Sequence, residues 1–527
     1  MNPSTINFNI RRSEQRGSIR PFKKNALRTT SMVKFLIGAA FALVLFVPAC
    51  TKDFEKINTD ATLVTREIIK PSMLFTAVLK NSIFSSYNTS VITEYSGYYS
   101  NQGSGVIFQN ANWTEPFNTY YRDYLINAAE VVRLTGDNAK LANEHAIGRI
   151  WKAWLFSQLT DAYGDIPYFE ATMKVEEVIN QPKYDLQSDI YKDLLKELKE
   201  ATAELNADPS KASFGSADIL FGGDIDRWKR FANSLRFRLA IRVRYADPAL
   251  AQQNITDLSA AELIDDNSLN ASLNTIDGAL TSNRNPIFDD PTNSYPLWAS
   301  FTATDNLKRL SDPRLSILAA PATDGISGYR GRPIALGQNE KTYTEESTAI
   351  LPSFFREAVH NIIVLNAAEA YFLQAEAALA GLSGGDAQAL YQRGIEASMK
   401  QYNVADAAIT SYLNSAAGLL TGTEEEKLEQ IIVQKWLAIY YESNEAWAEF
   451  RRTGYPRIWT GSDKGNTDGN IPRRLTYPLD EYAKNETNIK TAVTRLSAGD
   501  IYMSKVWWDA KAGVPFYHPK QGIFPPE

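Results

Sequence analysis

The amino-acid sequence predicts an all-α fold, in which helical hairpins carry an irregular lobe that is rich in loops. Apolar residues recur three and four positions apart over nine segments, which is the period of a helix with one buried face. Residues 247–360 and 455–527 show little of this period and are rich in turn-forming residues, including several prolines. The length of 527 residues is enough for one large core or for two or three packed units.

An uncharged apolar run occupies residues 35–47, directly after a lysine and just before Cys50. A helix needs about 20 apolar residues to span a bilayer, so this run is too short. A basic start, an apolar middle and small residues before a cleavage point are the order of a signal peptide. The sequence Val47-Pro48-Ala49-Cys50 has the pattern that the lipoprotein signal peptidase reads. We therefore expect residues 1–49 to be a signal peptide and Cys50 to carry lipid.

Cys50 is the only cysteine in the sequence, so neither an internal disulfide nor a thiolate metal cluster can form. A lone cysteine at the end of a signal-like run is better explained as a lipid attachment site than as a leftover core residue. Residues 1–31 hold seven Lys or Arg and one acidic residue, a long basic lead, and we interpret Met32 as the true start. Residues 50–70 are then a lipidated tether, and 71–527 form the folded domain.

Nine candidate helices follow the leader. Their approximate ranges are 71–85, 117–135, 141–162, 185–205, 224–246, 361–380, 386–401, 406–414 and 424–448. Thr423 and Glu426 form a capping box at the start of the last of these. Two alanines on the apolar face of 361–380, Ala368 and Ala375, would let a neighbouring helix approach closely. The tryptophans within these helices are expected in the core: Trp151, Trp154, Trp228 and Trp436.

Consecutive helices pair into four predicted hairpins. The pairs are 117–135 with 141–162, 185–205 with 224–246, 361–380 with 386–401, and 406–414 with 424–448. Each pair has roughly the length of a tetratricopeptide unit, although the alternation of small and large residues that marks this repeat is blurred. The hairpins cover about 117–246 and 361–448, and the loop-rich lobe covers about 247–360 and 455–527.

The charge balance argues against nucleic-acid binding. The chain has a net charge of −6, and removal of residues 1–49 takes away eight basic residues and one acidic residue, which leaves −13. Nucleic-acid-binding proteins usually carry an excess of basic residues. The sequence holds only three histidines, His145, His360 and His518, which argues against a His-rich metal site. No cofactor and no metal ion are expected.

Two polar motifs have simpler explanations than ligand binding. The first is a loop with Asp463, Asn466, Asp468 and Gly469, whose spacing misses the alternating ligands of an EF-hand, so we interpret it as a surface loop. The second is the basic run in helix 224–246, which we interpret as a solvated face paired with nearby carboxylates. Its members are Arg227, Lys229, Arg230, Arg236, Arg238, Arg242 and Arg244.

One motif could indicate a hydrolase. Residues 381–385, Gly-Leu-Ser-Gly-Gly, match the G-x-S-x-G nucleophile elbow, but that motif needs a strand before it and a helix precedes it here. We interpret the segment as a hairpin turn with Gly381 at the helix C-cap. Paired carboxylates for glycoside hydrolysis depend on a separation in space, so a secreted helical glycoside hydrolase stays open as an alternative.

Seven stretches along the chain together resemble one family. They are IGRIWKAWLFSQLTDAYGDIPYFEA (147–171), GGDIDRWKRFANSLRFRLAIRVR (222–244), LSDPRLSI (310–317), YRGRPIALG (329–337), LNAAEAYFLQAEAAL (365–379), WLAIYYESNEAWAEFRRTGYPRI (436–458) and IPRRLTYPLDEYAKN (471–485). With the leader and Cys50, this ordered set is similar to the SusD/RagB-like nutrient-binding outer-membrane lipoproteins of Bacteroidetes. The resemblance covers most of the chain after Cys50.

The resemblance implies tetratricopeptide-like hairpins with an irregular lobe that faces the ligand. It implies a cell-surface location, with the protein held on the outer membrane by its lipid, and no catalysis. It also implies a partner, a SusC-like TonB-dependent transporter over which the lipoprotein acts as a lid. Ligands of such families are oligosaccharides in many members and peptides in some. We favour an oligosaccharide and keep a peptide as the alternative.

A sugar-binding protein needs exposed aromatic rings, because pyranose rings present an apolar face on which Tyr or Trp can stack. Exposed rings should lie on loops, and two loop segments hold aromatic residues together with amide side chains. The candidate ligand residues are Tyr98, Tyr99, Asn101, Gln102, Phe108 and Trp113 in the first segment, and Tyr295 and Trp298 in the second. The alternative for each ring is a place in the core.

Overall fold

The computed structural model describes residues 69–87, 90–100, 114–172, 177, 179–208, 211–278, 280–288, 297–336, 340–461 and 465–527. The predicted leader, Cys50 and the tether up to residue 68 lie outside these residues. Residues Lys70–Glu527 form one compact unit. None of the helices in the described ranges is long and apolar enough to cross a bilayer.

Helices dominate the regular structure of the described chain. In chain order they are α1 (Pro71–Tyr87), α2 (Ser90–Tyr95), α3 (Thr114–Thr119), α4 (Ile126–Gly136), α5 (Ala142–Tyr163), α6 (Gln187–Glu204), α7 (Ile225–Arg242), α8 (Pro248–Asp257), α9 (Phe301–Arg309), α10 (Leu315–Leu318), α11 (Ala367–Leu379), α12 (Ala387–Gln401), α13 (Asp406–Leu413), α14 (Glu424–Ala438), α15 (Ser443–Thr453), α16 (Leu479–Lys484) and α17 (Glu486–Thr494). A π-helical segment, Tyr120–Leu125, joins α3 to α4. The predicted all-α fold is confirmed.

The strands described are short and form two antiparallel ladders. They are β1 (Tyr99–Ser100), β2 (Ala271–Asn274), β3 (Trp298–Ala299) and β4 (Asn361–Leu365). β1 pairs with β3, and β2 pairs with β4. Each ladder therefore joins parts of the chain that are far apart in sequence.

The predicted helix pairs are in contact. α4 packs on α5, α6 on α7, and α11 on α12. In the fourth pair, α13 and α14 share one core cluster, and the Gln434 amide donates to the Tyr412 hydroxyl at 2.8 Å. α14 packs more closely on α11, whose Ala368 and Ala375 lie in the same cluster as Ile431.

Two predicted helices have different bounds. Residues 361–365 of the predicted helix 361–380 are the strand β4, which suits the β-branched run Ile362-Ile363-Val364. The amide side chain of Asn366 then caps α11 by accepting a hydrogen bond from the Glu369 N–H. The predicted helix 424–448 is interrupted between α14 and α15, where Tyr441 has a φ of +79°. A tyrosine with positive φ cannot continue a right-handed helix.

The lobe predicted to be rich in loops contains short helices as well. α8 begins with Pro248 after the capping side chain of Asp247, and the hydroxyl of Ser300 caps α9. Two more, α16 and α17, lie within residues 455–527. These helices span only six to ten residues, which is too few for a periodic pattern to stand out from a polar background.

Three members of the basic run of α7 are buried. Arg236, Arg238 and Arg242 are each at most 5% exposed, whereas the other four residues of the run are partly exposed. The guanidinium of Arg238 forms a fork with the carboxylate of Glu369 on α11, at 2.8 Å from Nε to Oε1. The interpretation as a solvated face is therefore wrong for these three arginines, although the expected pairing with carboxylates is correct. Burial is tolerated because each charge meets an opposite one.

These pairs belong to a buried ionic network that joins α7, α11, α14 and α15. Besides Arg238 and Glu369, its members are Arg242, Glu376, Lys435, Glu442, Glu445, Glu449 and Arg452. Around it lies the main apolar core, in which the predicted core tryptophans are found: Trp151, Trp154, Trp228 and Trp436. The network fixes the helices on which the lobe rests.

Candidate ligand-binding face

Two segments predicted to carry ligand-binding side chains meet in one ladder. β1 pairs antiparallel with β3, so that Ser100 lies opposite Trp298. Because the strands run in opposite directions, the chain leaves β1 beside the point where it enters β3. Ser100, which precedes the segment 101–113, therefore lies beside Trp298, which closely follows the segment 289–296. We call this ladder and the backbone bonded to it the floor of the candidate face.

Five of the eight predicted ligand residues lie outside the described residues: Asn101, Gln102, Phe108, Trp113 and Tyr295. The other three, Tyr98, Tyr99 and Trp298, are at most 2% exposed. A ring must be exposed to stack on a sugar, so the expectation that these three rings contact the ligand is wrong for the described structure. They form the floor instead.

The burial of Tyr98 and Tyr99 has a clear cause. The ring of Tyr98 stacks on Trp436, with 4.7 Å between ring centroids. Its hydroxyl donates to the carbonyl oxygens of Trp436 at 2.8 Å and Ile439 at 3.0 Å, at the end of α14. The ring of Tyr99 stacks on Tyr441 at 6.0 Å. Both tyrosines thus attach the floor to the break between α14 and α15.

Arg332 holds Trp298 and Ser100 together. Its guanidinium carbon lies 4.8 Å from the centroid of the Trp298 ring, which is within cation–π range. Its Nη1 donates to the hydroxyl of Ser100 at 2.6 Å. Burial lowers the pKa of Arg332, and the charge of Glu94 opposes this shift. Sequence reasoning missed Arg332 as a floor residue, although it lies in the quoted stretch 329–337.

The floor is closed by backbone hydrogen bonds on both sides of β3. The Ala299 N–H donates to the Ala349 carbonyl, and the Arg332 N–H donates to the Ala299 carbonyl, both at 2.9 Å. Gly331 sits so close to α9 that a Cβ there would meet the carbonyl oxygen of Ser300 and come within 2.7 Å of the Phe301 Cα. Only glycine fits this approach.

One partly exposed ring lies directly on the floor. Tyr329 packs against a cluster of three buried alanines, Ala299, Ala319 and Ala349. Tyr329 is only partly buried, so part of its side chain stays exposed. Sequence reasoning did not single out Tyr329, and the available signal was an aromatic residue beside Arg-Gly-Arg in a loop.

The described residues give no indication of catalysis at the motifs considered. Residues 381–385 form the turn between α11 and α12, where Gly381 has a φ of +70° and the Leu382 N–H donates to the Ala377 carbonyl at 2.9 Å. This is the Schellman pattern of a helix end, as expected from the sequence. No group of three or more His, Cys, Asp or Glu in the described ranges is placed to hold a metal ion. Asp463 of the polar loop lies outside those ranges.

The family model of SusD-like proteins described as "Starch-binding associating with outer membrane" matches residues 61–478. A solved structure named as a chitin-binding protein is 28% identical, with a TM-score of 0.75, covering 84% of this chain and 100% of that one. A chitin-binding SusD homolog from Flavobacterium johnsoniae is 26% identical, with a TM-score of 0.74 and coverages of 84% and 99%. A SusD homolog from Bacteroides uniformis ATCC 8492 is 26% identical, with a TM-score of 0.72 and coverages of 84% and 100%. None of the curated protein sequences matches the chain.

Proposed function

Because the chain belongs to the SusD-like family, whose model spans residues 61–478, we propose that it is a cell-surface lipoprotein that binds an oligosaccharide nutrient. It delivers this ligand to a SusC-like TonB-dependent transporter in the same outer membrane. The ligand that we propose is a neutral oligomer of N-acetylglucosamine, as in chitin. Two solved relatives at 28% and 26% identity are named for binding chitin, which supports this choice.

The observation that carries the proposal is the convergence of the two predicted ligand segments at one ladder. Ser100, which precedes residues 101–113, lies opposite Trp298, which closely follows residues 289–296. Between them the two segments hold Phe108, Trp113 and Tyr295, which supply rings for stacking, and Asn101 and Gln102, which supply amides for orientation. Tyr329 adds a partly exposed ring on the floor itself.

Binding and handover, without covalent chemistry, are enough for this function. The floor is held by buried rings, backbone bonds and Arg332, so it is a rigid base for the ligand segments. A rigid base lowers the entropy cost of capture, because less of the protein has to be ordered when the ligand binds. The lipid on Cys50 keeps the protein beside the transporter and raises the local concentration of ligand there.

The test is a calorimetric titration of residues 51–527, which include the compact unit Lys70–Glu527. The ligands are chitohexaose, maltohexaose and a peptide mixture, and the variants are Trp113→Ala and Tyr295→Ala. We expect chitohexaose to bind. Each variant should lower the affinity for chitohexaose by about tenfold, which lies within the roughly 1–3 kcal/mol that one stacked ring contributes to binding. Phe169→Ala, which removes a ring that is 53% exposed in the turn after α5, is the matched control and should bind like the parent.

Other outcomes identify the alternatives. If only the peptides give a heat of binding, the protein is a peptide-binding protein on the same scaffold. Release of shorter sugars from chitohexaose, abolished by a single Asp or Glu substitution, means a glycoside hydrolase. Either result contradicts the proposed function.

The anchor and the partner are tested in cells. Cys50→Ala should lower the share of the protein in the outer-membrane fraction, because it removes the lipid and leaves only the contact with the transporter. The parent protein should co-purify with a TonB-dependent transporter after mild detergent extraction. An unchanged share of the Cys50→Ala variant in the outer-membrane fraction would contradict the lipid anchor.

A further inference from the structure

A pocket of about 440 Å³ lies beside the break between α14 and α15. It forms where the C-terminal end of α1, the 3-10 turn Ser353–Arg356 and the start of β4 meet this break. Its volume is within the range of about 300–1,000 Å³ that small-molecule sites occupy. We call it the Tyr87 pocket. None of the residues predicted from the sequence to bind ligand is among those that line it.

Aromatic rings make up the wall of the Tyr87 pocket. The centroid of the Tyr87 ring lies 4.8 Å from that of Tyr441 and 5.6 Å from that of His360. Phe355 lies 5.5 Å from His360 and 5.7 Å from Tyr441. Phe354 extends the wall at 4.1 Å from Phe355. Such a wall suits a ligand with an apolar face.

Three polar atoms of residues that line the pocket have no hydrogen-bond partner within the described part of the chain. They are the hydroxyl of Tyr87, a residue only 6% exposed, Oε2 of Glu442 and Nε2 of Gln401. The other carboxyl oxygen of Glu442 accepts a hydrogen bond from Nη2 of Arg238 at 3.2 Å. Buried polar atoms are nearly always paired in folded proteins, so three such atoms beside one pocket indicate a ligand that completes at least some of them.

Two ionisable groups on the wall of the Tyr87 pocket, Glu442 and His360, have pKa values that are shifted toward their uncharged forms. Burial raises the pKa of Glu442 well above its ordinary value, and the charges of Glu369 and Glu445 raise it further, against the opposing charges of Arg238 and Lys435. Burial also lowers the pKa of His360 to about 4, so its imidazole is neutral. Protonated Glu442 can donate from Oε2, as can the Tyr87 hydroxyl. The pocket thus offers donors and apolar rings to a neutral ligand.

We propose that the Tyr87 pocket binds one acetamido sugar unit, with the acetamide oxygen accepting hydrogen bonds from Tyr87 and Glu442 and the methyl group packing on the rings. An acetamide combines a strong acceptor with a methyl group, which a plain hexose lacks. The proposal deepens the proposed function, because the sugar is the repeating unit of the ligand assigned there. The unit can be a chain end or a free sugar.

The Tyr87 pocket is connected to the floor of the candidate face. The hydroxyl of Tyr440 donates to the Tyr98 carbonyl at 3.3 Å, and the Tyr440 ring lies 5.6 Å from Phe355 of the pocket wall. The Leu351 N–H, just before the turn that carries Phe354 and Phe355, donates to the Leu297 carbonyl at 2.7 Å. A unit bound in the pocket therefore contacts elements that also hold the ladder.

The first experiment titrates the parent and the Tyr87→Phe variant with N-acetylglucosamine and N,N′-diacetylchitobiose, using glucose and cellobiose as controls. We expect the acetamido sugars to bind and the plain sugars to bind at least tenfold more weakly. Tyr87→Phe removes only a hydroxyl without a partner, so it should weaken binding by about threefold to tenfold, the effect of one hydrogen bond, without lowering stability. Tyr517→Phe makes the same change at a residue that is 58% exposed, and should bind like the parent.

A second variant blocks the pocket. Val359 lines the pocket and is 57% exposed, so Val359→Trp places a bulky ring there at little cost to folding. It should abolish binding of both acetamido sugars. Parental affinity in both Tyr87→Phe and Val359→Trp, or no binding of acetamido sugars by the parent, would overturn the pocket.

The loop variants separate this result from the proposed function. If the free sugar and the disaccharide bind in the Tyr87 pocket, their affinity should survive Trp113→Ala and Tyr295→Ala. If Trp113→Ala and Tyr295→Ala weaken chitohexaose binding but Tyr87→Phe and Val359→Trp do not, the proposed function stands and the pocket proposal is overturned. If acetamido sugars bind in the pocket but chitohexaose does not bind at all, the pocket proposal stands and the proposed function is overturned. If both Val359→Trp and Trp113→Ala weaken chitohexaose binding, one end of the bound sugar chain occupies the pocket.

Discussion

The side chain of Tyr98 shows how a single residue joins the lobe to the helical frame. Its hydroxyl donates to two carbonyl oxygens at the end of α14, more than 300 positions away in sequence, and its ring covers Trp436. Carbonyls at a helix end lack intrahelical partners, and the tyrosine supplies a donor to that of Trp436, whereas the Ile439 carbonyl also accepts from the Glu442 N–H at 2.8 Å. Its role is structural, on the side of the floor that faces the core.

Tyr98→Phe should lower the free energy of unfolding by about 1–2 kcal/mol, because the buried Trp436 carbonyl loses its donor. Its affinity for chitohexaose should stay at the parental value. Urea denaturation followed by tryptophan fluorescence measures the first quantity, and calorimetry measures the second. Tyr517→Phe is the control, since its exposed hydroxyl meets only Asn470 in the described structure. A loss of affinity with unchanged stability would return Tyr98 to the ligand site.

Local composition could locate the candidate segments, but it could not show which of their aromatic rings are exposed and which are buried. Tyr98 and Tyr99 stand next to a polar stretch, which favours exposure, yet both pack on residues near position 440. That contact depends on tertiary structure and leaves no mark on the neighbouring sequence. Arg332 was missed for the same reason, since only its contacts with Trp298 and Ser100 reveal its role.

Among the elements, the β1–β3 ladder depends on one glycine outside it. Gly331 lets residues 330–332 lie against β3 and the start of α9, where the Phe301 N–H donates to the Arg332 carbonyl at 2.9 Å. A side chain at this point would push these backbone segments apart, because a Cβ would meet the main-chain Ser300 carbonyl oxygen and Phe301 Cα as well as the Thr304 hydroxyl. The element is therefore sensitive to a change of one methyl group.

Gly331→Ala should destabilise the protein by about 1–3 kcal/mol through overpacking. It should also lower the affinity for chitohexaose, because the floor is displaced. Thermal unfolding and calorimetry provide the two readouts. Gly384→Ala is the matched control: no atom lies within 4 Å of its added Cβ, and stability should change by no more than about 0.5 kcal/mol. Equal stability of the two variants would contradict the close approach at Gly331.

Periodicity was a good guide to the long helices and a poor one to their ends. The nine predicted segments all contain helix, but β4 was read as the first turn of α11 because Ile362 and Val364 continue an apolar pattern. The break at Tyr441 was missed because an apolar face continues through it, with Ile439 and Tyr440 buried. β4 is held by its pairing with β2, a contact that a single-chain pattern does not encode.

For the whole molecule, the buried ionic network makes stability depend on pH. Glu442 has a raised pKa in the folded protein, because it is buried beside Glu369 and Glu445. A carboxyl group with a raised folded pKa favours folding fully only below its unfolded pKa, near 4.5, and this contribution is lost as pH rises through the folded pKa. Other members act in the opposite direction: the pKa of Glu445 is lowered to about 2 in the presence of Arg242 and Lys435, despite burial.

Glu442→Gln should therefore become more stable relative to the parent as pH rises from 4 to 8. The amide keeps the shape of the neutral acid and cannot ionise, and each unit of pKa shift that it removes is worth about 1.4 kcal/mol. Urea denaturation at intervals across this range gives the difference. Glu486→Gln, on an exposed carboxylate of α17 paired with Lys490, should show no such trend. Parallel profiles for the parent and Glu442→Gln would contradict a neutral Glu442.

The charge of the whole molecule bears on ligand choice. The chain that follows cleavage before Cys50 would have a net charge of −13, which repels polyanions at long range. We expect oligogalacturonate to bind at least tenfold more weakly than chitohexaose at low salt, and added salt to narrow the gap. Calorimetric titrations at two ionic strengths measure both effects. Tighter binding of the uronate would contradict selection by charge.

The ladder that supports the candidate face has a consequence for how such a protein can diversify. β1 and β3 are joined by main-chain groups, and main-chain groups are the same in every sequence. The segments that leave the ladder can therefore vary in length and in composition, while the helical frame beneath them stays unchanged. A lineage that inherits this arrangement can adopt a new food source by recombining two short stretches of gene, without having to evolve a new fold.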